Sequence, residues 1–297
     1  LVLLLPLAAY GSTTLTRHRR TNINQRPLFQ GITYSRQVTD QSFPQVVHIL
    51  DIDLTTPGLR PLVTAGAEAA TPNANRLDVY ETTAQRTSEF LNTHQLQIAI
   101  NANYFYPFQE VTPWNYGPRS GETVNMVGVA IANGQSVSLP ESDWPALCFL
   151  AQRAVIEPDG SCPGGTTQAV SGDAMLLQNG EPREALARVL EGRSPNDKAY
   201  PMNIVALDET GNRLWLILSD GKQPLYSEGT RLEDIYLILR DLGATTAMRL
   251  DGGGSTTLAV ATENGPALLN AAIHAKIPGF ERPVANNLGF YAPALEP

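Results

Sequence analysis

The sequence predicts an α+β fold: a mixed, largely antiparallel twisted sheet with at least one βαβ unit, flanked by helices. Three observations carry that expectation. Strand-like apolar runs dominate the chain, two pairs of them close on turn residues, and one strong amphipathic helix separates two apolar runs that each end in Asp-Gly.

With 297 residues, 42% of them hydrophobic, the chain can bury the core of one large mixed domain. Its net charge of −8 and the lack of a basic stripe argue against nucleic acid as a partner. The cluster Arg17-His18-Arg19-Arg20 reads as a solvated tail.

The chain opens with LVLLLPLAAYGS, an apolar run too short to span a bilayer. It resembles the h-region of a signal peptide or an N-terminal anchor. Residues 1–26 are therefore assigned to a targeting remnant and linker, and 27–297 to a catalytic domain. The expected location is exported: periplasmic, extracellular or membrane-anchored, with membrane contact only through that anchor. Cys148 and Cys162 suit a disulfide in such a protein, and two buried thiols are the alternative. Neither the cysteines nor the four histidines have zinc-site spacing.

Strands are expected over VVHILDIDL (46–54), QIAI (97–100), MVGVAI (126–131), AMLLQ (174–178), NIVAL (203–207), LWLIL (214–218), TAMRL (246–250), TTLAV (256–260) and NLGFY (287–291). The turns NGQ (133–135) and DETGN (208–212) each join two of these runs as a hairpin. A helix over 82–94 is expected to begin at a capping box of Thr82 and Gln85. A second, over 230–243, has Thr230 and Glu233 in the same spacing. Its apolar stripe is Leu232, Ile235, Tyr236, Leu239 and Leu242, and Gly243 is its stop.

LWLILSDGK and TAMRLDGGG flank this second helix. Strand, helix, strand makes the two strands parallel, so Asp220 and Asp251 should reach the same sheet edge, where open α/β sheets place ligands. A strand-end Asp can also just cap a turn. The run after Asp251 asks for more, because three consecutive glycines imply bare backbone. The amides of Gly252, Gly253 and Gly254, with the hydroxyls of Ser255 and Thr256, could cradle a phosphate. Neither a P-loop nor a dinucleotide fingerprint is present.

INANYFYPF (100–108) places Asn101 and Asn103 before an aromatic patch that continues to Trp114 and Tyr116. Asn beside aromatics suits sugar hydroxyls and ring faces, although Tyr104, Phe105 and Phe108 taken singly read as core. In ERPVANNLGF (281–290), Arg282 can bind phosphate bidentately, and Asn286-Asn287 lead into the last strand.

Taken in order, INANYF, VGVAIANGQ, GDAMLLQNGEP, LILSDGK, the helix with DLGA, RLDGGGSTTLAV and RPVANNLGF resemble the phosphodiester glycosidase family over about residues 29–292. The resemblance implies hydrolysis of a sugar 1-phosphodiester, such as a GlcNAc-1-phosphodiester of cell-envelope or exopolysaccharide glycans, at the anomeric carbon. Two departures stand out. Lys222 replaces the family's usual Arg after Asp-Gly, and the Arg-rich phrase before NIVAL survives only as Arg193.

On this reading Asp251 is the base or nucleophile and Asp220 its partner carboxylate, with Asn101 and Asn103 orienting sugar or water. The glycine loop, Ser255, Thr256, Lys222, Arg282 and Asn286 hold the phosphate. Asp220 and Asp251 are also the ligands on offer for a divalent cation, Ca or Mg; no other cofactor is called for. Two alternatives are a non-catalytic glycan-binding envelope protein using the aromatic patch, and an actin-like-fold phosphohydrolase, which DGGGST also resembles.

Overall fold

The structure is a computed structural model that describes residue 11 and residues 17–67, 80–112, 115–194 and 197–296. The run 1–10 of the expected targeting segment, and Trp114 of the aromatic patch, lie outside the described residues.

The fold is β-rich, which corrects the expected α+β class. Strands account for 43% and helices for 11% of the described residues. Among the described residues three helices occur, Thr87–Thr93, Glu184–Leu190 and Leu232–Leu242. The reason lies in the burial of the strands. Asn203–Leu207 is buried at every position, as is Arg213–Ser219 beyond its first residue, so both faces of the central sheet need cover. Helices cover one face: Leu232, Ile235 and Leu239 pack with Ile204, Ala206, Trp215 and Ile217. The other face is covered by further strands, bringing Ile98, Ile100, Leu147, Val170, Leu258 and Phe290 against Leu50, Val205, Leu216 and Met248. Sheet-on-sheet packing of this kind buries alternating apolar side chains of both layers without flanking helices.

The central sheet has eight strands, in the order Ile23–Phe29, Ile32–Thr39, Gln45–Asp53, Arg213–Ser219, Asn203–Leu207, Thr246–Arg249, Ala174–Gln178, Glu181–Pro182. Ile23–Phe29 is its edge strand, so the expected boundary between residues 26 and 27 falls inside a strand. Two five-stranded sheets contain Ile98–Asn101, Leu258–Thr262 and Asn287–Tyr291 in one, and Ala130–Ala132, Ala146–Phe149 and Gln168–Ser171 in the other.

Every strand pairing among the described residues is antiparallel, and this corrects the βαβ unit. The two strands joined by the Leu232–Leu242 helix are not neighbours, because Asn203–Leu207 lies between them and pairs antiparallel with both. Two antiparallel steps still leave them pointing the same way. Leu218 sits opposite Asn203 and Arg249 opposite Ile204, so Asp220 and Asp251 both follow strand ends at one edge.

Both hairpins form. Asn133 (φ 51°) and Gly134 (φ 76°) turn between Ala130–Ala132 and Gln135–Ser138, the two-residue left-handed turn that Asn-Gly favours. Leu207 pairs with Leu214 across the other. The long helix stops at Gly243, φ 75°. Both helix starts move from the expected boxes. Thr82–Thr83 is a short strand, and the first helix starts after Arg86, whose N–H donates to Glu89. Thr230 donates its hydroxyl to Ser219, leaving Asp234 to accept the Arg231 N–H. MVGVAI divides into Thr123–Met126 and Ala130–Ala132 around Gly128, φ 80°. Cys148 and Cys162 are joined as a disulfide.

One close approach matters for the site. A Cβ on Gly172 would lie 1.9 Å from the carbonyl oxygen of Arg249. The absence of that atom lets the Asp173 N–H donate to the same carbonyl at 3.1 Å. Gly172→Ala is expected to cost about 1–3 kcal/mol or more through overpacking, read as a lower urea midpoint with unchanged slope.

Candidate active site

Asp251 lies at the end of Thr246–Arg249 and is 7% exposed. It faces a cavity of about 260 Å³ lined by Tyr104, Phe105, Phe108, Tyr200, Asp251, Gly252 and Arg282. Burial pushes its carboxyl up to about 7. The Ser255 hydroxyl, the Arg282 charge and the Gly252 N–H pull the other way, and Asp173 adds to the rise.

A larger cavity of about 520 Å³ adjoins the first and shares Tyr104, Tyr200 and Gly252 with it. Arg249 lines this second lobe and grips Asp173 with two parallel bonds, Nε to Oδ1 at 2.9 Å and Nη2 to Oδ2 at 2.7 Å. The Tyr104 hydroxyl donates to the same carboxylate at 3.2 Å. Burial, then Asp173, then Asp251 hold the Tyr104 phenol far above its usual range, so it stays protonated. Tyr104 thus stands between two carboxyl groups.

The glycine run is packed tightly on its neighbours. A Cβ on Gly252 would meet the Pro201 carbonyl at 2.7 Å, one on Gly253 (φ 63°) the Tyr200 hydroxyl at 2.5 Å, and one on Gly254 the Arg282 guanidinium at 2.4 Å. Its amides turn inward: Gly253 N–H donates to Pro201, Ser255 N–H to Gly252 and Thr256 N–H to Gly253. Bare backbone here permits close packing around Asp251. Thr256 is buried and does not line the cavity.

Arg282 is also buried, and all three of its nitrogens are engaged. Nε donates to His274 Nδ1 at 3.2 Å, Nη1 to Ser255 at 3.1 Å, and Nη2 to Glu110 at 2.5 Å. Its guanidinium lies over the Phe108 ring. Burial and then the Arg282 charge press His274 down to about 4, which keeps it a neutral acceptor for Arg282. Lys222 is exposed; its ammonium donates to the Tyr200 hydroxyl at 3.0 Å and sits over that ring.

Asn101, Asn103 and Asn286 are fully buried and outside the cavity walls. Asn101 donates to the Asp251 carbonyl at 2.6 Å and accepts from the Thr257 N–H at 3.0 Å, spanning the glycine loop. Asn103 donates to the carbonyls of Val127 and Val129 and accepts from the Ser171 N–H and from Asn286. It therefore ties three motifs together beneath the site.

Asp220 is placed apart from Asp251's partners. It is 1% exposed. One carboxylate oxygen meets His48 Nε2 at 3.0 Å and the other accepts the Ala271 N–H at 2.7 Å. His48 Nδ1 in turn meets the Tyr34 hydroxyl at 2.8 Å. Asp220 lines neither lobe and shares no hydrogen-bond partner with Asp251 among the described residues. No group of three or more His, Cys, Asp or Glu among the described residues is placed to hold a metal ion. Arg193 is exposed and pairs with Glu191.

Sequence reasoning passed over Asp173, Arg249, Tyr200, His274 and Glu110. Asp173 had a signal, since Gly-Asp opens the strand run of GDAMLLQ much as Asp-Gly closes the two others. Phe105 and Phe108, read as core, line the small lobe, and Phe108 is exposed.

A family model described as phosphodiester glycosidase matches residues 94–291. Among solved structures the chain is similar to the catalytic domain of zebrafish N-acetylglucosamine-1-phosphodiester alpha-N-acetylglucosaminidase, auto-inhibited by its pro-peptide. The TM-score is 0.58 at 18% identity, over 93% of this chain and 85% of that one. It is also similar to a protein of Burkholderia pseudomallei K96243 described as exported, with a TM-score of 0.54 at 12% identity over 84% and 74% of the two chains. No curated protein sequence matches. The two structures share the fold; the family match takes in the loop bearing Asp251, the Gly172-Asp173 turn and Arg282, and by it the chain belongs to the phosphodiester glycosidase family.

Proposed function

We propose that the protein hydrolyses a sugar 1-phosphodiester, with Asp251 as general base. The observation that carries this is a buried carboxyl, titrating near neutrality, on the wall of a cleft lined by aromatic rings and arginines. A carboxylate raised to about 7 is a competent base at physiological pH. The sugar, of GlcNAc type, lies in the small lobe against Phe105 and Phe108. Water adds to the anomeric carbon and gives its proton to Asp251. The bond from that carbon to the phosphate oxygen breaks, and the phosphate leaves with the electron pair. A phosphomonoester needs little acid assistance, so its stabilisation is electrostatic. Arg249 and Arg282 supply fixed positive charge on either side. The Tyr200 hydroxyl, which accepts from Lys222, turns its own proton toward the phosphate. Asp220, Asn101, Asn103 and Asn286 position the loops and touch no substrate.

A base of this kind sets a sign. Only ionised Asp251 accepts the proton, so kcat/KM on a GlcNAc-1-phosphodiester should rise about tenfold per pH unit below about 7 and level off above it. A profile that instead falls through 7 would assign Asp251 the role of acid. Release of free sugar together with the phosphomonoester is the product test. The biological substrate is a glycan outside the cytoplasm, a location supported by the Cys148–Cys162 disulfide. Among the described residues no helix is long and apolar enough to cross a membrane.

A further inference from the structure

We propose that the larger lobe is a subsite for an anionic aglycone, one that carries a further phosphate or comparable negative charge beyond the scissile diester. The inference rests on the phosphodiester glycosidase reading and extends it from the sugar to the leaving group. The two lobes meet at Tyr104, Tyr200 and Gly252, so a diester whose sugar faces Asp251 must send its other substituent past this waist. What it meets there is basic. Arg188, Lys198 and Arg249 all line the lobe against a single carboxylate, Asp197.

The charges are not equally free. Arg249 is held by Asp173 and is the cation assigned to the scissile phosphate in the proposed mechanism. Arg188 pairs with Glu184 one helical turn away, an exposed pair that a ligand can reorganise at little cost. Lys198 is exposed and forms no ion pair with a carboxylate among the described residues. Asp197, the one carboxylate on the wall, has its Oδ1 engaged by the Leu232 N–H at the start of the long helix. The lobe therefore offers Lys198 and Arg188 as unneutralised or easily released cations, spaced beyond the scissile phosphate. A neutral aglycone would leave Lys198 without a counter-charge and Arg188 on Glu184. Repeating glycosyl-phosphate chains have the matching chemistry, since each unit adds one phosphate.

The test compares two GlcNAc-1-phosphodiesters, one with a methyl aglycone and one whose sugar aglycone bears a second phosphate. Affinities are measured by calorimetry on the slowed Asp251→Asn protein, and turnover on the wild type. The phosphorylated aglycone is expected to bind about tenfold or more tightly at low salt. That ratio should fall toward one in the Lys198→Glu protein, and also in 0.5 M salt, by screening. Equal affinity for the two diesters, or a preference that survives Lys198→Glu, would overturn the anionic subsite while leaving the phosphodiester glycosidase reading intact. If the wild type cleaves neither diester and the Asn variant binds neither, the phosphodiester glycosidase reading fails and the subsite with it.

Discussion

Asp251→Asn is expected to lower turnover of a GlcNAc-1-phosphodiester by about 10²–10⁴ and to make the protein more stable at pH 8. The two effects have one cause. Burial holds the Asp251 carboxyl at about 7, against an ordinary value of 3.8. Between those values the folded protein keeps a proton that the unfolded chain has released. Stability therefore falls as pH rises from about 4 to about 7 and is flat above, because the ionised group is then buried at full cost. Asn keeps the size and removes the charge. It should add on the order of 1–3 kcal/mol at pH 8 and little at pH 4, read from urea midpoints at the two pH values. A variant that loses activity without this pH-dependent gain would point to collapse of the loop, and one that keeps wild-type activity would remove Asp251 from the reaction.

Asp220→Ala should be severe in a different way. It leaves the His48 ring nitrogen and the Ala271 N–H without their acceptor in a fully buried place, at a cost of about 3–5 kcal/mol. Tyr34, at the far end of the same chain, loses its fixed partner geometry. Asp220→Asn keeps an oxygen for Ala271 and turns a donating amide to His48, which must then accept at Nε2 and donate from Nδ1 to Tyr34; it is expected to cost only about 1–3 kcal/mol. Because Asp220 touches no substrate in the proposed mechanism, the folded Asn protein should retain kcat within a few-fold of wild type. A loss of kcat comparable to that of Asp251→Asn, at a temperature where the variant is folded, would return Asp220 to the chemistry.

Legibility differed by the range of the interaction involved. The Asn133-Gly134 hairpin, the Gly243 stop and the apolar stripe of the long helix are set by residues a few positions apart, and all three formed. The helix starts failed because capping is decided by where a side chain points: Thr230 had a better partner in Ser219, far off in sequence. The fold class failed for a related reason. A run buried on both faces looks the same whether a helix or a second sheet covers it, and here strands such as Ile98–Asn101 and Asn287–Tyr291 do so.

The candidate site shows the same division. RLDGGGSTTLAV singled out Asp251 because three glycines have no cheap local explanation, and the order of motifs carried the family. The parallel direction of the strands ending near Asp220 and Asp251 also followed from the chain. What the glycines are for did not. They admit Pro201, Tyr200 and Arg282, three neighbours that only folding brings up to the loop. Nor could the chain say that Asn101 and Asn103 donate to backbone carbonyls, since an amide beside an aromatic patch fits a sugar or a backbone equally well. Sequence by itself determined the family and singled out the loop that bears Asp251, because both are written in contiguous residues. Tertiary structure alone decided the groups that act on Asp251, Arg282 and Asp173 among them, because a carboxyl's charge state and company depend on burial and on groups tens of residues away.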